Sequence, residues 1–289
     1  MKTLIKKKTT ISSSDNLIIL CNKNINRSDF NITKEEFQYI KKEQQKGKEI
    51  VSINQYKRLI FLILPKKEKN LNKNAENCRM IGDNLAEKLK ELPSVLIIND
   101  KQNQTKTLQI AEGIALGNYR FTKHKTLIRE HKFKTIYLCK NSSQKDITEL
   151  QNIIDAVYFT RNLINEPFSH LKAKDLANLA VKSAQKNGIK TTVLNKKKIT
   201  SLKMGGLLAV NKGSIDEPTF TILEWKPKKA KNKHPIILIG KGIVFDTGGL
   251  SLKPTANSME FMKTDMGGAG TVIGAMQAIA SNKLPLYVI

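Results

Sequence analysis

Four charged residues lie close together in a glycine-rich stretch near the end of the chain, between Ile239 and Thr271. They are Lys241, Asp246, Lys253 and Asp265. Glycine lets the backbone turn tightly and lets other groups come close. Charged side chains are almost never fully buried unless they are paired or bound to a metal. This combination of residue types predicts an active site.

Two carboxylates beside a lysine are able to hold a divalent cation. Carboxylate oxygens are ligands for hard cations. A lysine joins them only as a neutral amine, because an ammonium has no lone pair, so its pKa must be lowered by the cation and by loss of water. Taken singly, such residues are more often structural, since aspartate is common at helix N-termini and in turns. Their grouping on one short segment favours a functional role over a structural one.

The flanking segments predict a strand before this group and a helix after it. An apolar run ending at Gly240 predicts a buried strand. Residues just beyond such strands line ligand crevices in open α/β sheets, so Lys241 and Asp246 are expected at the strand end and in the following turn. The stretch Met266–Ser281, rich in small and apolar residues, predicts a buried helix with Asp265 near its N-terminus.

Apolar runs alternate with helical patterns through the rest of the chain, which favours an α/β fold. NLIIL and RLIFLILP are strand-like, and NAENCRMIGDNLAEKLKEL is helical. A chain of 289 residues holds about two domains, at ~150 residues each. The polar stretch KNSSQKD, which precedes a long helical pattern, marks a boundary near residues 140–155. We therefore predict one domain over residues 1–145 and a second over residues 150–289.

The glycine-rich stretch resembles the signature of the cytosolic leucyl aminopeptidase family, the M17 two-metal peptidases, in which a lysine is a metal ligand. LGNYRFTKHK from Leu116, RNLINEP from Arg161 and LKMGGLLAVNKG from Leu202 resemble three further elements of that family. The likeness is strong from about residue 108 onward and weak before it. It implies an N-terminal α/β domain, followed by the first part of a mixed-sheet α/β catalytic domain.

The resemblance also implies a role for each of the four residues. Lys241, Asp246 and Asp265 match metal ligands, with Asp246 bridging two divalent ions, Mn²⁺ or Zn²⁺. Lys253 matches the lysine that polarises the scissile carbonyl. The implied reaction releases N-terminal amino acids from peptides by attack of metal-activated water, with Lys253 and the metals stabilising the oxyanion. The family further implies a homo-oligomer, a hexamer.

The sequence departs from the family pattern at its end. Beyond a strand such as LPLYVI, residues 284–289, the family places an Asn-Thr-Asp-Ala-Glu-Gly-Arg motif with further carboxylate ligands, and no such motif occurs here. We therefore expect a C-terminally truncated or degenerate member, or one whose missing ligands come from a separately encoded C-terminal fragment. The alternative is an inactive fragment or paralogue that acts as a basic polyanion-binding, nucleic-acid-binding or assembly protein.

Composition limits the other classes of function. The formal net charge is +25, but it comes mostly from lysines spread along the chain, and aromatics make up 6%. Base readout uses arginine and single-strand binders interleave aromatics, so nucleic-acid binding is possible but not favoured. The glycine-rich stretch lacks the order of a P-loop or a dinucleotide fingerprint. Cys21, Cys78 and Cys139 indicate reduced thiols, and the N-terminal apolar runs are too short for a signal peptide or a membrane span. We expect a cytoplasmic protein without a membrane partner.

Overall fold

The computed structural model describes residues 2–20, 26–66, 69–98, 104–127, 131–139 and 142–289. They form two compact units, residues 1–154 and 155–289. The division falls inside one long helix, α4 (Gln144–Asn165). That these units are the family's domains, predicted over residues 1–145 and 150–289, stays a prediction.

A six-stranded sheet forms the middle of the first unit. Its strands are β1 (Leu4–Lys7), β2 (Leu17–Leu20), β3 (Ile50–Asn54), β4 (Leu59–Ile63), β5 (Ser94–Ile98) and β6 (Thr135–Leu138). They lie in the order β1-β6-β5-β2-β4-β3, and all neighbours are parallel except β3 and β4. β2 is buried throughout, and β4 and β5 are buried from their second residue, as expected of strands covered on both faces. The predicted α/β fold class is confirmed.

The helices of the first unit are α1 (Lys34–Gln45), α2 (Leu71–Leu89), α3 (Gln104–Gly117) and the start of α4. α1 begins with a capping box, in which the Thr33 side chain and the Glu36 side chain each bond the other's backbone N–H. α2 and α3 pack backbone to backbone, because a Cβ at Gly113 would lie 2.0 Å from the carbonyl oxygen of Arg79. Glycine therefore sets the distance between these two helices.

The second unit is built around two helices that share an apolar core. It contains the end of α4, α5 (Ala173–Lys186), α6 (Lys196–Ser201), α7 (Gly205–Asn211), α8 (Gly267–Ser281), and the antiparallel strands β7 (Lys190–Leu194) and β8 (Phe220–Glu224). The core includes Leu176 and Ala180 of α5 with Ile273 and Met276 of α8. α8 spans almost the whole of the predicted buried helix, so that prediction is confirmed.

The apolar run before Gly240 is not the buried strand that its sequence predicts. Ile237 and Ile239 have 64% and 90% of their surface exposed. Hydrophobicity predicts burial only where other layers cover a segment, and in this unit no layer covers these two side chains.

The end of the chain makes the few sheet-like contacts of this region. Val288 forms isolated bridges to Trp225 and to Ile236. The Leu238 N–H donates to the Ile289 carbonyl at 2.8 Å. The strand predicted over residues 284–289 is therefore reduced to single bridges.

Two further expectations concern cysteines and membranes. Cys78 and Cys139 are not joined by a disulfide, and Cys21 lies outside the described residues. Among the helices that the structure describes, none combines the length and the apolar character that crossing a bilayer needs.

Candidate active site

The structure brings the four predicted site residues together as two ion pairs in the second unit. Lys241 Nζ lies 2.8 Å from Asp265 Oδ1, and Lys253 Nζ lies 3.0 Å from Asp246 Oδ2. The charge of Asp246 also acts on Lys241, so the two pairs belong to one cluster. We call these four residues the Lys-Asp cluster.

Lys241 is positioned by a direct contact between its own backbone and the start of α8. The Ala269 N–H donates to the Lys241 carbonyl at 2.8 Å. A Cβ at Gly240 would lie 2.6 Å from the carbonyl oxygen of Gly268, closer than real Cβ atoms come to a neighbour. Since Asp265 lies two residues before α8, this glycine contact sets the distance between Lys241 and Asp265.

Asp246 and Lys253 are held by the turn between them. The Gly248 N–H donates to Asp246 Oδ1 at 2.9 Å, and the Lys253 N–H donates to the Thr247 carbonyl at 2.9 Å. Gly248 has a φ of 89°, and a Cβ there would lie 2.3 Å from the Ser251 carbonyl oxygen. The turn therefore requires glycine at this position.

A short 3-10 helix over Met259–Thr264 adds two contacts that sequence reasoning missed. Met262 Sδ lies 3.0 Å from Lys253 Nζ, and Lys263 Nζ donates to the Asn165 carbonyl at the end of α4 at 3.3 Å. Their position just before Asp265 places them close to the site along the chain, but the sequence does not show which of these side chains turns towards Lys253.

The charges of the cluster shift the pKa values of two of its members. The hydrogen bond from Lys241 to Asp265 raises the pKa of the Lys241 ammonium. Hydrogen bonds from Lys253 and from the Gly248 N–H lower the pKa of the Asp246 carboxyl. At neutral pH the cluster therefore holds Lys241 as an ammonium and Asp246 as a carboxylate, and Lys241 must lose a proton before it can ligate a metal.

One atom of the cluster has no partner among the residues that the structure describes. Asp265 Oδ2 is buried and accepts no hydrogen bond there, although Oδ1 of the same carboxylate binds Lys241. A buried polar atom left unsatisfied is costly and calls for a missing partner. A divalent cation is a suitable one, because carboxylate oxygens are ligands that Mn²⁺ and Zn²⁺ accept. The donors present thus fit a divalent metal.

Comparison with known proteins matches the part of the chain that carries the cluster. Residues 158–289 match the family model described as "Cytosol aminopeptidase family, catalytic domain". A "Probable cytosol aminopeptidase" of Chlorobaculum tepidum is 42% identical over 243 residues, which cover 75% of this chain and 48% of the relative. One of Chlorobaculum parvum is 56% identical over 129 residues, covering 45% of this chain and 25% of the relative. The chain thus spans no more than about half the length of these curated relatives.

Solved structures share the fold at low sequence identity. A leucine aminopeptidase mutant from tomato has a TM-score of 0.78 at 20% identity, over 99% of this chain and 61% of that one. The bottromycin maturation enzyme BotP in complex with Mn has a TM-score of 0.76 at 21% identity, over 95% of this chain and 58% of that one. These likenesses show a shared mixed α/β fold.

Proposed function

The chain belongs to the cytosol aminopeptidase family, and we propose that it acts in the metal-dependent release of N-terminal amino acids from peptides. One observation supports this most directly. The Lys-Asp cluster lies within the matched residues 158–289, and its buried Asp265 Oδ2 has no partner among the described residues. A site with paired charges and an unsatisfied buried carboxylate oxygen is suited to bind a cation.

Each member of the cluster has a proposed task. Asp246, Asp265 and Lys241, the last after loss of its proton, hold two divalent ions, Mn²⁺ or Zn²⁺. The Mn complex of the structural neighbour BotP supports manganese. Bound divalent cations supply Lewis acidity and acidify water. The Lys253 ammonium donates a hydrogen bond to the carbonyl oxygen of the scissile peptide bond as negative charge develops there.

The neighbours of Lys253 bear on this task. Asp246 Oδ2 and Met262 Sδ each lie 3.0 Å from Lys253 Nζ, and the Lys253 side chain is 28% exposed. An ammonium held by one carboxylate and one soft thioether is fixed in place but keeps a third N–H for a substrate oxygen. Lys253 is thus both anchored and able to donate.

We propose two further properties from the family. The chain assembles as a homo-oligomer, a hexamer. It works in the cytosol, the compartment that the names of its relatives state. The exposed Ile237 and Ile239, a few residues before the cluster, support a partner segment that covers them.

The experiment is hydrolysis of leucine p-nitroanilide by the purified 289-residue chain with Mn²⁺ or Zn²⁺, alone and coexpressed with the C-terminal part of a full-length relative. Lys253→Ala is expected to lower turnover about 100-fold or more, as loss of one oxyanion donor does. The matched control is Lys283→Ala, an exposed lysine of the same unit, which should change turnover little.

Two results would contradict the proposal. One is hydrolysis that Lys253→Ala leaves unchanged, since the proposed donor would then not act. The other is a folded chain that neither binds Mn²⁺ nor hydrolyses the substrate under either condition.

A further inference from the structure

The loop over residues 226–233, which we call the basic loop, concentrates positive charge on the second unit. Its sequence, KPKKAKNK, contains five lysines, and all five are exposed. No aspartate or glutamate occurs between Glu224 and Asp246, and none follows Asp265. The chain segments around the loop therefore supply almost no compensating negative charge.

The one acidic residue beside the loop already has partners. Glu224 lies 3.2 Å from Lys190 Nζ, and it accepts a hydrogen bond from the Tyr287 hydroxyl at 3.1 Å. Among the described residues, no lysine of the basic loop forms an ion pair; Lys226 instead lies over the Tyr287 ring at 4.6 Å. Lys283 is also exposed and lies in the turn before Pro285. Because the loop contacts the Pro285 carbonyl, Lys283 adds positive charge beside the loop.

The backbone of the basic loop is fixed by hydrogen bonds. The Lys231 N–H donates to the Pro285 carbonyl at 2.9 Å. The Asn232 side chain donates to the Tyr287 carbonyl and accepts from the Tyr287 N–H, both at 2.8 Å. Pro227 and a turn bond from the Ala230 N–H to its carbonyl, at 3.0 Å, restrict the first half. Such a loop loses little backbone freedom when it binds a partner.

We infer that the basic loop binds the phosphate backbone of nucleic acids without sequence preference. Lysine ammoniums are point charges that attract phosphates, and release of counterions drives such binding. The loop has no arginine or aromatic residue to read or stack on bases. The loop itself has no large apolar side chain to enter a bilayer, although the exposed Ile236 and Ile237 follow it, so a lipid surface is the alternative that an experiment must separate from nucleic acid. The inference does not depend on the net charge of the whole chain; it rests on one loop with a fixed backbone, whose lysines form no ion pair with the described residues.

The test compares two variants with the same net charge. In the first, the five lysines of the basic loop are changed to glutamine. In the control, five exposed lysines of the first unit are changed to glutamine: Lys34, Lys42, Lys57, Lys73 and Lys88. Each set lowers the formal net charge from +25 by 5 to +20.

Binding of a fluorescein-labelled, mixed-sequence single strand of DNA is followed by fluorescence anisotropy over a salt series. Five lost phosphate contacts at about 0.7 each should make the slope of log K against log salt shallower by about 3.5. When salt is raised fourfold, the fold-loss in affinity of the unchanged chain should therefore be about 100 times that of the loop variant. The control variant should keep a slope close to that of the unchanged chain.

Three outcomes would overturn the inference. Equal losses in the two variants would assign binding to overall charge. Absence of binding at low salt by a chain that circular dichroism shows to be folded would mean that the loop does not bind nucleic acid. Loop-dependent binding to phosphatidylserine vesicles, without loop-dependent binding to DNA, would assign the loop to membranes. None of these readouts requires peptidase activity, so failure of the proposed function leaves the test intact.

Discussion

Replacing Gly240 by alanine should destabilise the second unit, because it forces the start of α8 away from the Lys-Asp cluster. The new Cβ would lie 2.6 Å from the Gly268 carbonyl oxygen and 2.7 Å from Ala269 Cα, both backbone atoms. These distances are about 1 Å short of a comfortable contact. Overpacking of this kind costs about 1–3 kcal/mol, against a gain of about 0.4–1 kcal/mol from the less flexible unfolded chain. The midpoints of these ranges give an expected net loss of about 1.3 kcal/mol.

Gly242→Ala is the matched control, two residues along the same segment. Its Cβ would lie 3.5 Å from the Ala269 side chain, which is an ordinary contact. This variant should therefore stay within about 0.5 kcal/mol of the unchanged chain, or gain slightly.

Urea unfolding followed by tryptophan fluorescence measures both variants. Trp225 is the single tryptophan of the chain and lies in the second unit, so its emission reports that unit. Equal stability of Gly240→Ala and Gly242→Ala would refute the reasoning, since it would mean that the segment and α8 separate without cost.

Three other predictions concern the cluster and the first unit. Asp265→Asn should weaken Mn²⁺ binding at least ~10-fold in calorimetry while the circular dichroism spectrum is kept, because even loss of an outer partner of a metal ligand costs that much; unchanged affinity would exclude Asp265 as a ligand. Lys46 and Lys48 lower the pKa of Glu43 to about 2. The stabilising effect of the ionised Glu43 carboxylate is thus complete above the unfolded pKa of about 4.3 and is lost as pH falls towards 2. The urea midpoint should therefore fall less steeply with decreasing pH in Glu43→Gln than in the unchanged chain. Parallel plots of midpoint against pH would show that these lysines contribute nothing. Gly113→Ala should lower the thermal midpoint, because its Cβ would lie 2.0 Å from the Arg79 carbonyl oxygen, and an unchanged midpoint would show that α2 and α3 can move apart.

The grouping of the Lys-Asp cluster is visible in the sequence because its four members lie on one short, glycine-rich segment. Lys241 and Asp265 are 24 residues apart, and Lys253 and Asp246 only 7. Glycine turns and one helix start bring them together, and both features have clear sequence signals. The roles of these residues rest on family resemblance and stay predictions.

Other features depend on what lies on the far side of a segment, which a local pattern does not contain. The apolar run before Gly240 looks like a buried strand, yet Ile239 is 90% exposed, since burial depends on a covering layer. The contact between Met262 and Lys253 depends on the path of a 3-10 helix, for which the sequence offers little signal.

The pairing within the Lys-Asp cluster bears on the order of events as the chain folds. Two carboxylates placed near each other repel unless something neutralises them. Here each carboxylate has its own ammonium, at 2.8 Å and 3.0 Å, so the four charges sum to zero within the chain. Neutralising these carboxylates therefore does not require a cation as residues 155–289 fold, in contrast to small domains that stay unfolded until their metal arrives.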